Sequence, residues 1–271
     1  MNTEKVTWEQ VKNQFVIAND YVFGSVMGEP DICTEFIRTV LPEIQLAGLV
    51  DVVRQSAKNI SMEDKSIRLD IEARDTDGRV YDIEMQNVNQ KEALEQRIRY
   101  YGSLLDCDKI KKGEPYHNLP NLFIIFVCAF DYLGKGSAIY DFSMRDQFDS
   151  SLEFSDGRRV ILINCSNPRF SPSPKYEKLM SFVKYVRTNI PNDSFTERIN
   201  HCVLEYKKVP AERKAFMEFM SRDWVAEKDR REAAIYKEKA NLYKAELERA
   251  EERMQKMALE IERLKSQSPK N

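Results

Sequence analysis

SIRLDIEARDTDGRVYDIEMQ, residues 66–86, alternates apolar and polar side chains through both of its arms, with a turn signal between them. That period of two predicts an antiparallel β-hairpin. Ile67, Leu69, Ile71 and Ala73 line one face of the first arm, and Tyr81, Ile83 and Met85 continue it on the second. The opposite face carries Arg68, Asp70, Glu72 and Arg74, then Asp82, Glu84 and Gln86.

The register follows from the pattern. A one-residue slip sends every side chain to the other face, so apolar must oppose apolar. A three-residue loop, Thr76-Asp77-Gly78, satisfies this, with Gly78 in the left-handed conformation that closes a type I turn plus bulge. Asp70 then faces Glu84, Arg68 faces Gln86, and Glu72 faces Asp82. Directly opposed side chains stand about 4.5–5.5 Å apart at Cβ, where like charges destabilise. Two opposed acid pairs therefore need a reason. A divalent cation between the carboxylates is one; a solvent-facing hairpin flanked by arginines is the other.

Composition narrows the function classes. Charged residues make up 32% of the 271, yet 42 Lys and Arg against 44 Asp and Glu leave a net charge of −2. No global basic field advertises nucleic acid, so any such contact must be a local patch. Five widely spaced cysteines without CxxC spacing argue for a reducing cytoplasm and against a disulfide framework or a zinc site. No apolar run reaches the roughly 18 residues of a membrane span, and the first residues lack an apolar signal core, which predicts a soluble, cytoplasmic protein.

Before the hairpin, Asn19 or Asp20 can cap a short helix interrupted by Gly24 and Gly28; Asp31 to Leu41 reads as a helix stopped by Pro42, and Leu49 to Val53 as a strand. After it, Asn89 to Asp106 carries Leu94, Ile98, Tyr101 and Leu105 at helical spacing. Leu122 to Phe130 is apolar on both faces, as a covered central strand should be. Ala138 to Phe142 and Arg159 to Cys165 are further strands, SNPRFSPSPK is the best internal boundary, and the remainder reads as helix. From Ala233 to Leu264 apolar residues recur in alternating steps of three and four, a heptad seam over about five heptads. It suits a parallel homodimer through a coiled coil, or a single solvated helix rich in ion pairs.

Several chemistries have no residues to carry them. There is no Gly-rich phosphate loop and no GxSxG elbow, and His117 and His201 have no ligand or triad context. Carboxylates remain.

Asp70 and Glu84-Met85-Gln86 on adjacent strands, between helices, resemble the site of the PD-(D/E)XK nuclease superfamily. Within it the chain is similar to the Rpn-type recombination-promoting nucleases and putative transposases. The likeness rests on Asn19-Asp20-Tyr21-Val22-Phe23, on IRTVLP from Ile37 to Pro42, above all on the hairpin, and on Arg97, Tyr100, Tyr101 and Lys112-Gly113-Glu114-Pro115-Tyr116. It spans roughly residues 15–225, and the heptad seam lies outside it.

The resemblance implies that Asp70 and Glu84 bind Mg²⁺, with Mn²⁺ as the alternative, that the carbonyl of Met85 is a third ligand, and that DNA is the substrate. The family motif favours Asp70 and Glu84 over Glu72 and Asp82. Gln86 stands where the superfamily usually places Lys; it can hydrogen-bond water or phosphate but carries no charge. Gln96 and Tyr100 resemble the QxxxY element that some members place beside the metal, and Glu35 is a further candidate carboxylate. Arg97, Arg99, Lys109, Lys111 and Lys112 form the local basic cluster that could meet phosphates.

The expected architecture is therefore an α/β PD-(D/E)XK, restriction-endonuclease-like core with a mixed central sheet flanked by helices over residues 1–170, a helical C-terminal part of the same unit over 171–225, and a coiled-coil tail over 226–271. The expected activity is Mg²⁺-dependent endonucleolytic cleavage of DNA. A nuclease-like fold kept as a non-catalytic DNA-binding or scaffold protein, acting through its coiled coil, is the second reading.

Overall fold

A computed structural model describes residues 6–58, 67–88 and 93–222, with Trp224 and Lys244. Thr7–Phe216 form one compact unit; Met217–Asn271 fall in another together with Met1–Val6. The heptad seam from Ala233 to Leu264 lies outside the described residues.

In chain order the elements are α1 (Trp8–Val11), α2 (Asp20–Met27), α3 (Pro30–Val40), β1 (Leu49–Lys58), β2 (Ile67–Asp75), β3 (Val80–Gln86), α4 (Leu94–Lys109), β4 (Leu122–Cys128), β5 (Ile139–Phe142), β6 (Arg158–Asn164), α5 (Glu177–Thr188) and α6 (Ser194–Lys208). The strands form one mixed sheet in the order β1-β2-β3-β4-β6-β5. β1, β2 and β3 are antiparallel neighbours, β3, β4 and β6 run parallel, and β5 returns antiparallel beside β6. All seven residues of the central β4 are buried, as its unbroken apolar run requires.

The hairpin closes through Thr76-Asp77-Gly78. Gly78 adopts φ +80°, and the Asp75 and Arg79 backbones meet at 3.1 Å. An L side chain in that conformation costs about 1–2 kcal/mol, which is why glycine belongs there. Asp75 fixes the turn further, its carboxylate accepting from the Asp77 and Arg79 amides, the Arg79 guanidinium and the Tyr81 hydroxyl. Ile71 pairs with Ile83, Glu72 with Asp82 and Ala73 with Tyr81, the register that the alternation dictates.

Helices cover both faces of the sheet. On one, α4 packs Leu94, Ile98, Leu104 and Leu105 against Val80, Leu122, Ile124 and Phe126. On the other, ring contacts run from Phe23 on α2 to Phe36 on α3, to Phe182 on α5 and on to Phe195 on α6. Each such buried ring contributes about 1.5–3 kcal/mol.

Four expectations change. The hairpin is not solvent-facing: Glu72, Asp82, Glu84 and Gln86 are buried beneath α4, while Arg68 and Arg74 stay exposed. Ile67, Leu69, Ile71 and Ala73 do not share one face, since Ile67 and Leu69 join the α4 cluster and Ile71 and Ala73 do not. The phase slips at Asp70, where the ladder to β3 stops. β1 runs well past Val53, because its polar end is an edge strand that pairs with β2 as far as Lys58. Finally, Asn19 caps α2 by accepting from the Tyr21 amide at 3.0 Å, but Gly24 does not interrupt the helix. One glycine costs about 1 kcal/mol, which burial of Val22, Phe23, Val26 and Met27 exceeds.

Candidate functional site

The site forms where the sheet opens. Beyond the pair Ile71–Ile83 the β2–β3 ladder ends, and side chains replace backbone carbonyls as acceptors. The Asp70 amide donates to Glu84 Oε1 at 2.8 Å, and the Met85 amide donates to Asp70 Oδ2 at 3.0 Å. Gln55 occupies the β1 position opposite Asp70, between the pairs Arg54–Ile71 and Ser56–Leu69, with φ 52°. Asp70 is thus flanked by distorted backbone on both sides. Each carboxylate is anchored through one oxygen, which sets its orientation and leaves the other without a protein donor among the described residues.

Met85 belongs to the same opening. The Gln86 carbonyl accepts from Ala129, which places it on the β4 edge of the strand. Successive residues of a strand turn their backbone groups to alternate edges, so the Met85 carbonyl lies with its amide on the Asp70 edge.

Burial sets the electrostatics. It raises the Asp70 carboxyl to about 6, against the opposing effects of the Met85 amide and Arg97. Glu84 is raised well above the usual carboxylate range by burial and then by Asp82 and Asp70. Asp82, fully buried, is raised by burial and by Asp70. No cation or amide donates to either oxygen of Asp82; the side chain that meets it is another acid, Glu84. Isolated buried carboxylates are costly, so the three together form a center that a cation would relieve.

Glu72 behaves differently. Burial acts to raise it, but Lys109, Lys58 and Ser56 outweigh that and hold it below its ordinary range. Ser56 Oγ donates to Glu72 at 2.7 Å, Lys58 lies at 2.9 Å, and Asp108 joins Lys58 and Lys109 at 2.7 and 3.1 Å. Its acceptor capacity is already used.

Hard divalent cations take oxygen ligands from carboxylates and carbonyls, and Asp70, Glu84 and the Met85 carbonyl match that chemistry. Among the described residues no three His, Cys, Asp or Glu side chains stand together at ligand spacing.

Among the basic and amide residues, Arg97 is drawn into the site. Its Nη2 donates to Gln86 Oε1 at 2.6 Å, and Gln86 Nε2 donates to the Val88 carbonyl at 2.6 Å. Gln96, the next residue, is exposed. Tyr100 packs against the α4 cluster, while Tyr101 carries the hydroxyl that senses the acids, raised to about 12 by burial and then by Glu84. Lys109 is held by Glu72, and Arg99, Lys111 and Lys112 are exposed. Lys111 and Lys112 follow the far end of α4, about 20 Å from Arg97 at 1.5 Å per residue. Glu35 is paired with Arg198 on α6. The sequence places Tyr101 on the helical face and in the family likeness but gives the site role to Tyr100; the i,i+4 spacing of Tyr101 from Arg97 is the signal that places it beside that residue.

A family model described as PD-(D/E)XK nuclease family transposase matches residues 17–240. A comparison with curated proteins finds no match. No helix among the described residues is long and apolar enough to cross a membrane.

Proposed function

Because the chain belongs to the PD-(D/E)XK nuclease family transposases, we propose that it is a metal-dependent endonuclease that hydrolyses DNA phosphodiester bonds. The observation that carries this reading is the exchange between Asp70 and Glu84, two buried acids oriented by each other's strands where the sheet parts.

Mg²⁺, or Mn²⁺ in its place, held by Asp70, Glu84 and the Met85 carbonyl, would supply Lewis-acid stabilisation of the phosphate and a more acidic bound water. The protein's own part is orientation and charge. The Asp70 and Met85 amides fix one oxygen of each acid and so restrict the orientation of both carboxylates. Burial under α4 keeps solvent off Asp82 and Glu84, which strengthens every charge interaction there. In the reaction a water oxygen bonds to phosphorus, one P–O ester bond breaks, and the proton that water loses ends on the leaving sugar oxygen. Lys111 and Lys112, exposed after the far end of α4, would meet the duplex backbone away from the acids, and a homodimer through residues 226–271 would bring two sites to two strands.

The test is incubation of purified protein with supercoiled plasmid and Mg²⁺ or Mn²⁺, with Asp70→Ala and Glu84→Ala as controls. Nicking and linearisation by the wild type alone is the expected result. Cleavage that persists in both variants removes the site assignment. No cleavage by the wild type favours the nuclease-like DNA-binding scaffold.

A further inference from the structure

Resting on the nuclease reading above, we infer that the cation facing the scissile phosphate is Arg97 of α4, and that Gln86 of β3 holds it in place. Hydrolysis of a phosphodiester builds negative charge on the non-bridging oxygens, and β3 offers no cation to meet it. Gln86 is neutral at every pH.

Arg97 is held entirely by uncharged groups. Its Nη2 is anchored on Gln86 Oε1, and its guanidinium lies 4.9 Å from the Phe126 ring centroid and 5.5 Å from that of Tyr101. Rings and an amide fix a guanidinium without cancelling its charge. Several other cations around the sheet are in ion pairs, Lys58 and Lys109 with Glu72, Arg158 with Asp106, and Arg159 with Glu43 and Asp141, while Arg68 and Arg74 of β2 are exposed to solvent. Arg97 forms no ion pair among the described residues, and its buried Nε has no hydrogen-bond partner.

Its position fits an anion. Arg97 and Gln86 line a small, partly enclosed pocket of about 20 Å³ with Val88, Leu94, Phe130 and Tyr132, the size of a bound water, beside the acids. The Arg97 charge also reaches Asp70, Asp82 and Glu84, opposing the rise of each. A phosphate drawn to the site would meet the guanidinium, whose fork of N–H donors matches phosphate oxygens. Arg97 remains protonated throughout, so it stabilises charge and transfers no proton.

Steady-state cleavage by full-length R97A, R97K, Q86A and the R97A/Q86A double variant tests this. R97A should lose about 10²–10³ in kcat, the usual cost of one transition-state donor, with a smaller rise in KM from the lost ground-state phosphate contact. R97K should recover part of it, and added guanidinium ion should partly rescue R97A. Q86A should cost less, and should cost almost nothing further in the R97A background. Wild-type kcat in R97A, or a full additional Q86A loss in the double variant, overturns the inference while leaving the nuclease reading intact. The second arm is duplex binding in Ca²⁺ by fluorescence anisotropy, where R97A should bind more weakly with a salt slope smaller by about 1. If the wild type cuts nothing with either metal, the nuclease reading falls. Equal duplex affinity of wild type and R97A then overturns the role of Arg97 as well. A melting temperature for each variant identifies loss of folding, and R97K, which keeps the charge, guards against misreading it.

Discussion

Glu72 and Asp82 are direct cross-strand partners on β2 and β3, both buried, and lysine ion pairs reach Glu72 but not Asp82. Lys58, Lys109 and Ser56 converge on Glu72, while both oxygens of Asp82 lack a donor. The pair thus divides the acidic face into a neutralised end toward the turn and an uncompensated end at Asp70 and Glu84.

The neutralised end should matter for stability. Lys109→Ala leaves Glu72 in a low-dielectric position with Lys58 as its remaining cation, and a lost partner of a buried charged group costs about 1–3 kcal/mol. Urea denaturation should show that loss, and added salt should not restore it. Equal midpoints for wild type and variant would show that the network contributes nothing.

At the uncompensated end the pH dependence has the opposite sign from a salt-bridged acid. Asp70 is raised to about 6, and Asp82 and Glu84 are raised too, so in this window the native state binds more protons than the unfolded chain. Stability without metal is therefore greatest below the unfolded carboxylate pKa of about 4 as far as these groups act, and it falls as pH rises through about 6. Melting temperatures in EDTA between pH 5 and 8 should decline with pH, and Asp70→Asn should flatten the decline. An upward trend through pH 6 that Asp70→Asn leaves unchanged would refute the acid cluster as its source.

Divalent cations should reverse that penalty. A ligand bound to the native state alone adds about 2.7 kcal/mol at one hundred times its dissociation constant. For a chain of this size that raises the melting temperature by about 5–10 °C. Mg²⁺ or Mn²⁺ should produce the shift in the wild type and not in Asp70→Asn or Glu84→Gln. An equal shift in all three would place the cation elsewhere.

Residues 226–271 carry the heptad seam. Sedimentation at micromolar concentration should give a dimer for the full chain and a monomer for a chain ending at Val225. A full-length monomer would remove the two-site model of double-strand cleavage.

Much of the site is legible in the sequence because it is local. The alternation and Gly78 determine the register of the hairpin, which pairs Ile71 with Ile83, and Asp70 and Glu84 lie just past the end of that ladder. What escapes is set by distant segments. The lysines that silence Glu72 come from β1 and α4, so two acid pairs that look alike in sequence differ in the fold. The choice between Gln96 and its neighbour Arg97 depends on the rotation of α4, fixed by Leu94, Ile98 and Leu105 against the sheet. Nothing in the hairpin itself announces that α4 will bury its charged face.

The opened ladder also makes the backbone an indicator. The amide hydrogens of Asp70 and Met85 are bound to carboxylates instead of peptide carbonyls. Their resonance positions and exchange with deuterium therefore depend on the charge carried by Glu84 and Asp70. Two ordinary peptide groups thus give a spectroscopic view of whether the acids are protonated, bare or occupied, in the absence of any substrate.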